Sequence, residues 1–389
     1  MGDDLNLTSI TLDGYVQVNK YGGVYFVIMF TVYILIVCSN STVLYLIWNH
    51  QDLHEPMYIF IAALLVNSLL FSTGMYPKLL TDVVSEQQVI SYSACLFQFF
   101  IFNFLGSSEF LLLAVMAYDR YVSICKPLQY PTIMKKTSVI IFLALAWFVS
   151  ACHTTVPTIL SAQTKLCNFT LKGILCNNAI YGLHCVGSRV ITIYGVVALL
   201  DLAVLPLFFI VFTYTKILII AHRSSREVRK KAAETCLPHL LVLISFFCLS
   251  AYDIIIARVK SNFPKPAHLV MTLQIVLYHP LFNPLIYGLK MKEITKHLKR
   301  LFVYRSSRAV RKKAAETCLP HLLVLVSFSC LSIYDIIIAR MESNFSKTVH
   351  LVMTLQVVLY NPLFNPLIYG LKMKEISKHL NMLLPFRKF

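Results

Sequence analysis

Residues 116–130 read MAYDRYVSICKPLQY, and this stretch decides how the chain is organised. Residues 97–117, just upstream, are almost wholly apolar, so Asp119-Arg120-Tyr121 falls where a membrane helix would leave lipid. A charge at that depth is costly unless it is paired or wetted, which marks it as a functional candidate. Asp119 can neutralise Arg120 beside it, and breaking the pair would then act as an on-switch. The plainer reading is a helix-end arginine whose stem stays in lipid while its head reaches the headgroups.

Composition agrees with a membrane setting. The chain has 389 residues, of which 57% are hydrophobic, and a mean hydropathy of +0.69. That is too much apolar surface for soluble domains, and runs of roughly 20 apolar residues each span a bilayer. A net charge of +17 would suggest nucleic acid in a soluble protein. Here Lys and Arg cluster in alternate loops, as the positive-inside rule expects, so lipid is the implied partner and nucleic acid is not. The first twenty residues are polar, with Asp3, Asp4 and Asp13, and do not read as a cleavable signal peptide. Asn6-Leu7-Thr8 is a glycosylation sequon that fits an outside N-terminus.

Apolar runs place spans at about 24–48, 57–80, 139–160, 190–221, 236–257 and 268–289, besides the one that ends near Asp119. Asn40 lies inside the first, where an amide wants a partner on a neighbouring helix. Pro56 suits the first turn of the second. Glu109 lies eleven residues before Arg120, so the two differ by only about 20° around the helix and both face the bundle interior. Asp201 lies in the outer half of the fifth span, and an acid there is either paired internally or offered to a ligand. Residues 290–301 are basic and amphipathic, as in an interfacial helix.

Cys167, Cys176 and Cys185 crowd one outer loop and, with Cys95, make four outward cysteines for which the sequence allows three pairings. Zinc is the competing reading, but no CxxC pair is present, and no metal or cofactor site is read. Asn168-Phe169-Thr170 is a second outer sequon. No HExxH, GxSxG or glycine-rich phosphate loop is present, so no catalytic set is expected.

The string at 116–130 resembles the third-helix signature of olfactory receptors, within the seven-helix G-protein-coupled receptors. Leu53-His54-Glu55-Pro56-Met57-Tyr58 resembles the family's first inner loop, Pro206 with Tyr214 its fifth-helix pair, and Asn283-Pro284-Leu285-Ile286-Tyr287 its seventh-helix motif. The resemblance implies an all-helical membrane bundle, a small-molecule odorant bound from outside, and a stimulatory, olfactory-type G protein inside. It implies a plasma-membrane home, in olfactory cilia. Activation would run through Asp119, Arg120, Tyr121, Tyr214, Asn283, Pro284 and Tyr287. It also selects the disulfides Cys95–Cys176 and Cys167–Cys185. The expected pocket joins Phe102, Asn103, Gly106 and Ser107 of the third span to Asp201, Phe247 and Ala251. Leu69-Leu70-Phe71-Ser72 and Met75-Tyr76-Pro77-Lys78 look like receptors of fish and other aquatic vertebrates. One departure stands out: the family usually has an acid twelve residues after Pro56, where this chain has Ser68. An amine or peptide receptor is a neighbouring alternative, lowered for amines because Ile101-Phe102-Asn103 carries no acid. A transporter is a distant one.

After residue 303 the chain begins again. Residues 305–382 repeat 223–300 at 64 of 78 positions, a self-similarity that reads as a second copy of spans six and seven. The expected layout is a tail at 1–23, a seven-span receptor at 24–303 and the repeat at 304–389, nine spans in all. The first copy is expected to close the bundle, because a short loop joins it to the fifth span. Substitutions mixed among intact motifs look like two related tandem genes joined.

Overall fold

The computed structural model describes residues 8–185, 187–223, 236, 240, 242 and 265–303. Asn6, Phe247, Ala251, most of the sixth span and the whole repeat lie outside the described residues. The chain divides into units Met1–Leu298 and Lys299–Phe389, and the first holds the site.

Among the described residues, five helices are long and apolar enough to cross a membrane. They are α1 (Val18–Asn49), α2 (Pro56–Val84), α3 (Tyr92–Cys125), α4 (Lys136–Gln163) and α5 (Arg189–Arg223). α6 (Lys265–Lys290) occupies the seventh span, and α7 (Lys292–Val303) is the amphipathic segment. Local chemistry sets their starts. Pro56 occupies the first turn of α2, where its missing N–H leaves nothing unsatisfied. Ser91 and Ser188 cap α3 and α5 through their side-chain oxygens, each 3.4 Å from a backbone N–H.

α3 is the central element, packed against α2, α4 and α5, while α6 packs against α1 and α2. The apolar windows of α2 and α3 are 61% and 56% buried, against 17–22% for α1, α4 and α5. The three outer helices therefore turn Trp48, Ile140, Phe148, Phe208 and Leu218 outward, as lipid-facing walls do. One apolar cluster fills the cytoplasmic half around Leu64, Leu113 and Tyr287, and a second around Tyr76, Phe102 and Val276 lies outward of it.

The helices outrun the apolar runs. α1 begins at Val18, before the polar Lys20 that hydropathy stops short of, so part of the expected tail is helical. The described residues of the tail ahead of α1 are structured too. Ser9–Leu12 forms β1, the middle strand of a three-stranded sheet. β1 pairs antiparallel with β2 (Val89–Ser91) before α3 and parallel with β3 (Thr170–Leu171) in the outer loop. Ile10 and Leu12 alternate inward at 0% and 2% exposure, the two-residue period of a half-buried strand. Gly14 crosses Gly173 so closely that a Cβ there would overlap its backbone.

Candidate functional site: an outer cavity and an inner charge pair

A cavity of about 570 Å³ opens between α3, α4, α5 and the outer loop, within the range of small-molecule sites. Phe71, Phe99, Phe102 and Phe110 supply much of its apolar wall, and Asn103, Gly106 and Ser107 line it from α3. Asn103 Nδ2 donates to Phe99 O at 2.9 Å and Ser107 Oγ to its own helix at Phe104 O, 3.2 Å. Each keeps further hydrogen-bonding capacity toward the cavity.

Opposite them stand His153 of α4 and Tyr194 of α5, both lining residues, with His153 Nδ1 3.3 Å from Tyr194 Oη. Asp201 is not among the lining residues. Its carboxylate is 4.0 Å from His153 Nε2 and 43% exposed. The reason is local: residues Leu200–Val204 form a π-turn, which breaks the 3.6-residue phase. Leu199, Leu202 and Ala203 turn in and Asp201 turns out.

The outer loop closes over this cavity. Cys95 is bonded to Cys176 and Cys167 to Cys185, and Gln98 Oε1 accepts from Cys176 N at 2.9 Å. The tethered loop brings Asn178, Tyr181 and His184 to the lining. His184 Nε2 is buried without a hydrogen-bond partner, and burial pushes this imidazole below its ordinary pKa. Asn168 is exposed on the same loop, its Oδ1 accepting from Thr170 N at 3.1 Å.

Beneath the cavity Asn283 of α6 donates from Nδ2 to Ser68 Oγ at 2.9 Å and to Glu109 Oε1 at 2.8 Å. Asn283 and Ser68 are 1% exposed and Glu109 5%, so three helices meet at a buried polar node. On the inner face Arg120 binds Asp119 Oδ2 through both Nε and Nη2, with Nε at 3.0 Å. Asp119 Oδ1 accepts from Tyr130 Oη at 2.8 Å, a residue of the short helix Tyr130–Ile133 in the second inner loop. Burial, and then the Asp119 carboxylate, push the Tyr130 phenol up. Tyr214, Pro284 and Tyr287 are buried nearby in α5 and α6, and Tyr121 is half-buried.

The family model for olfactory receptors matches residues 29–305 and, a second time, residues 303–386. This chain belongs to the olfactory receptor family. Olfactory receptor 10N1 of Mus musculus is 34% identical over 301 residues, 76% of this chain and 95% of that protein. Olfactory receptor 2T11 of Homo sapiens is 31% identical over 303 residues, 77% and 95% of the two chains. The crystal structure of squid rhodopsin superposes with a TM-score of 0.58 at 18% identity, over 72% of this chain and 81% of that one. The receptor thus has the rhodopsin-like helical fold and is a multi-pass membrane protein. It is a G-protein-coupled odorant receptor, not an enzyme.

Sequence reasoning passed over His153, Tyr194 and His184 of the receptor. A signal existed for two of them. His153 is an ionisable group inside an apolar span, which is reason enough to ask what it faces. His184 adjoins Cys185, so any disulfide that ties the loop down carries it along. Tyr194 had none.

Proposed function

We propose that the receptor takes a small, largely apolar odorant with one hydrogen-bonding group in the cavity between α3, α4 and α5. The observation that carries this is the cavity's chemistry: a phenylalanine wall facing a polar edge of Asn103, Ser107, His153, Tyr194 and His184. A few placed polar groups in an apolar enclosure orient a ligand that the apolar wall holds. Phe102, Asn103, Gly106 and Ser107 are the binding residues on α3, with Phe247 and Ala251 opposing them from the sixth span. Asp201 acts through His153.

Occupation of the cavity loosens the inner charge pair and admits a stimulatory, olfactory-type G protein. Asp119, Arg120, Tyr121, Tyr214, Asn283, Pro284 and Tyr287 carry that step at the plasma membrane of the cilium. The outer disulfides hold the loop over the cavity, and Asn6 and Asn168 accept glycans. Residues 1–23 and 24–303 form the tail and the working receptor. Residues 304–389 are a second copy of spans six and seven, an extra hairpin that gives nine spans and is dispensable. The wording of α2, Leu69-Leu70-Phe71-Ser72 with Met75-Tyr76-Pro77-Lys78, favours a receptor of the fish or other aquatic-vertebrate type.

The test is an odorant panel read as cyclic-nucleotide rise in cells expressing the full chain or residues 1–303. Both forms should respond with the same rank order, and Asn103→Ala with Ser107→Ala should reorder it. An unchanged order across a broad panel would remove the α3 face from the binding site.

A further inference from the structure

At the cytoplasmic end, away from the cavity, Asp52, Glu293 and His297 bring three metal-ligating atoms within 4.8 Å of one another. Asp52 belongs to the short helix Gln51–Leu53 after α1, and the other two to α7. His297 is 4% exposed, its Nε2 2.7 Å from Asp52 Oδ2, and its Nδ1 is buried with no hydrogen-bond partner. A second imidazole lies beside His297: the His50 ring centroid is 3.7 Å from that of His297. His50 Nδ1 is 2.9 Å from Leu46 O, so a backbone carbonyl takes its Nδ1–H and leaves Nε2 as a lone-pair donor. Metal-ligating histidines are held in this way.

We propose that Asp52, Glu293 and His297, with His50 beside them, form a divalent transition-metal site of the zinc class, tying the first inner loop to the amphipathic helix. Two carboxylates balance a dication. The imidazoles favour zinc over magnesium or calcium, which prefer all-oxygen shells. Bonds of 2.0–2.2 Å in a tetrahedral site hold donor atoms roughly 3.4 Å apart. The observed 4.8 Å limit closes by side-chain rotation, because the Asp52 and Glu293 side chains are 48% and 42% exposed. The metal takes the place of the proton that His297 shares with Asp52. Among the described residues, Lys296 opposes it, its Nζ 2.9 Å from Glu293 Oε2. The residues stand some 240 positions apart, so their spacing carries no motif.

The experiment titrates the purified full chain in lipid nanodiscs with Co²⁺ and follows its visible d–d absorption. Asp52→Asn should weaken one saturable Co²⁺ site by more than about 10-fold, the least that losing even a supporting partner of a metal ligand costs. His297→Gln should do the same and Lys296→Ala should tighten it. His54→Ala, a histidine of the same loop that faces Trp48 O at 3.3 Å, should leave it unchanged. Should His297→Gln fail to fold, the exposed positions Asp52→Asn and Glu293→Gln decide. Binding to Asp52→Asn as tight as to the parent overturns the proposal.

Discussion

Asn40 offers the sharpest test of how the bundle is held. It is 0% exposed in α1, and its Nδ2 donates at 2.8 Å to Pro280 O of α6. In a helix that carbonyl would accept from the residue four positions on, but position 284 is proline and has no N–H. Asn40 therefore supplies the donor that Pro284 withholds. In Asn40→Ala the carbonyl is stranded in a medium without water, a loss of about 1–3 kcal/mol for an unsatisfied buried group. At about 2 °C per kcal/mol for a chain of this size, the midpoint of thermal unfolding in nanodiscs should fall by about 2–6 °C. A cavity would also lower it, so the decisive measurement is a double-mutant cycle with Pro284→Ala, which restores the missing N–H. In that background Asn40→Ala should lose less stability, by about 0.6–1.7 kcal/mol, the range of interhelical hydrogen bonds in membranes. Strictly additive losses would show that the two residues do not share the carbonyl.

Two further outcomes follow from the site. Tyr130→Phe removes the 2.8 Å bond to Asp119, so basal cyclic-nucleotide signalling at equal surface level should rise severalfold, as expected for about 1 kcal/mol of lost inactive-state restraint; an unchanged baseline would place Tyr130 outside the switch. His184 is held neutral below its ordinary value of 6.5 by burial, so the opened loop binds its proton first as pH falls through that value. Acid therefore favours opening, and odorant affinity should decline below about pH 6.5 and level off below the folded-state pKa. His184→Gln should flatten that profile, and an identical decline in the variant would assign it elsewhere.

What was legible in the chain was local. Asp119 and Arg120 are neighbours, so the pair can be read from two adjacent residues. The azimuth argument for Glu109 likewise uses only one helix, and the side chain is buried where it says. What could not be read needs a second element. The demand of Asn40 for a partner was visible, but its partner is 240 positions away. The sequence left Asp201 either paired or offered to a ligand; the π-turn that sets its direction lies in a run of apolar composition on both sides, which gives no sign of it. β1 was missed because four residues of mixed polarity make a strand only when β2 and β3 supply its hydrogen bonds.

That sheet also sets a schedule. β1 leaves the ribosome first and its partner β3 follows α4, so the two meet only after four helices have been threaded through the translocon. Until then β1 has β2 alone as a strand partner, and the edge that β3 will cover waits on the far side of the membrane with its backbone groups satisfied by water. Glycan transfer, chaperone capture and proteolysis all have that interval in which to act. Closure of the outer loop ends it.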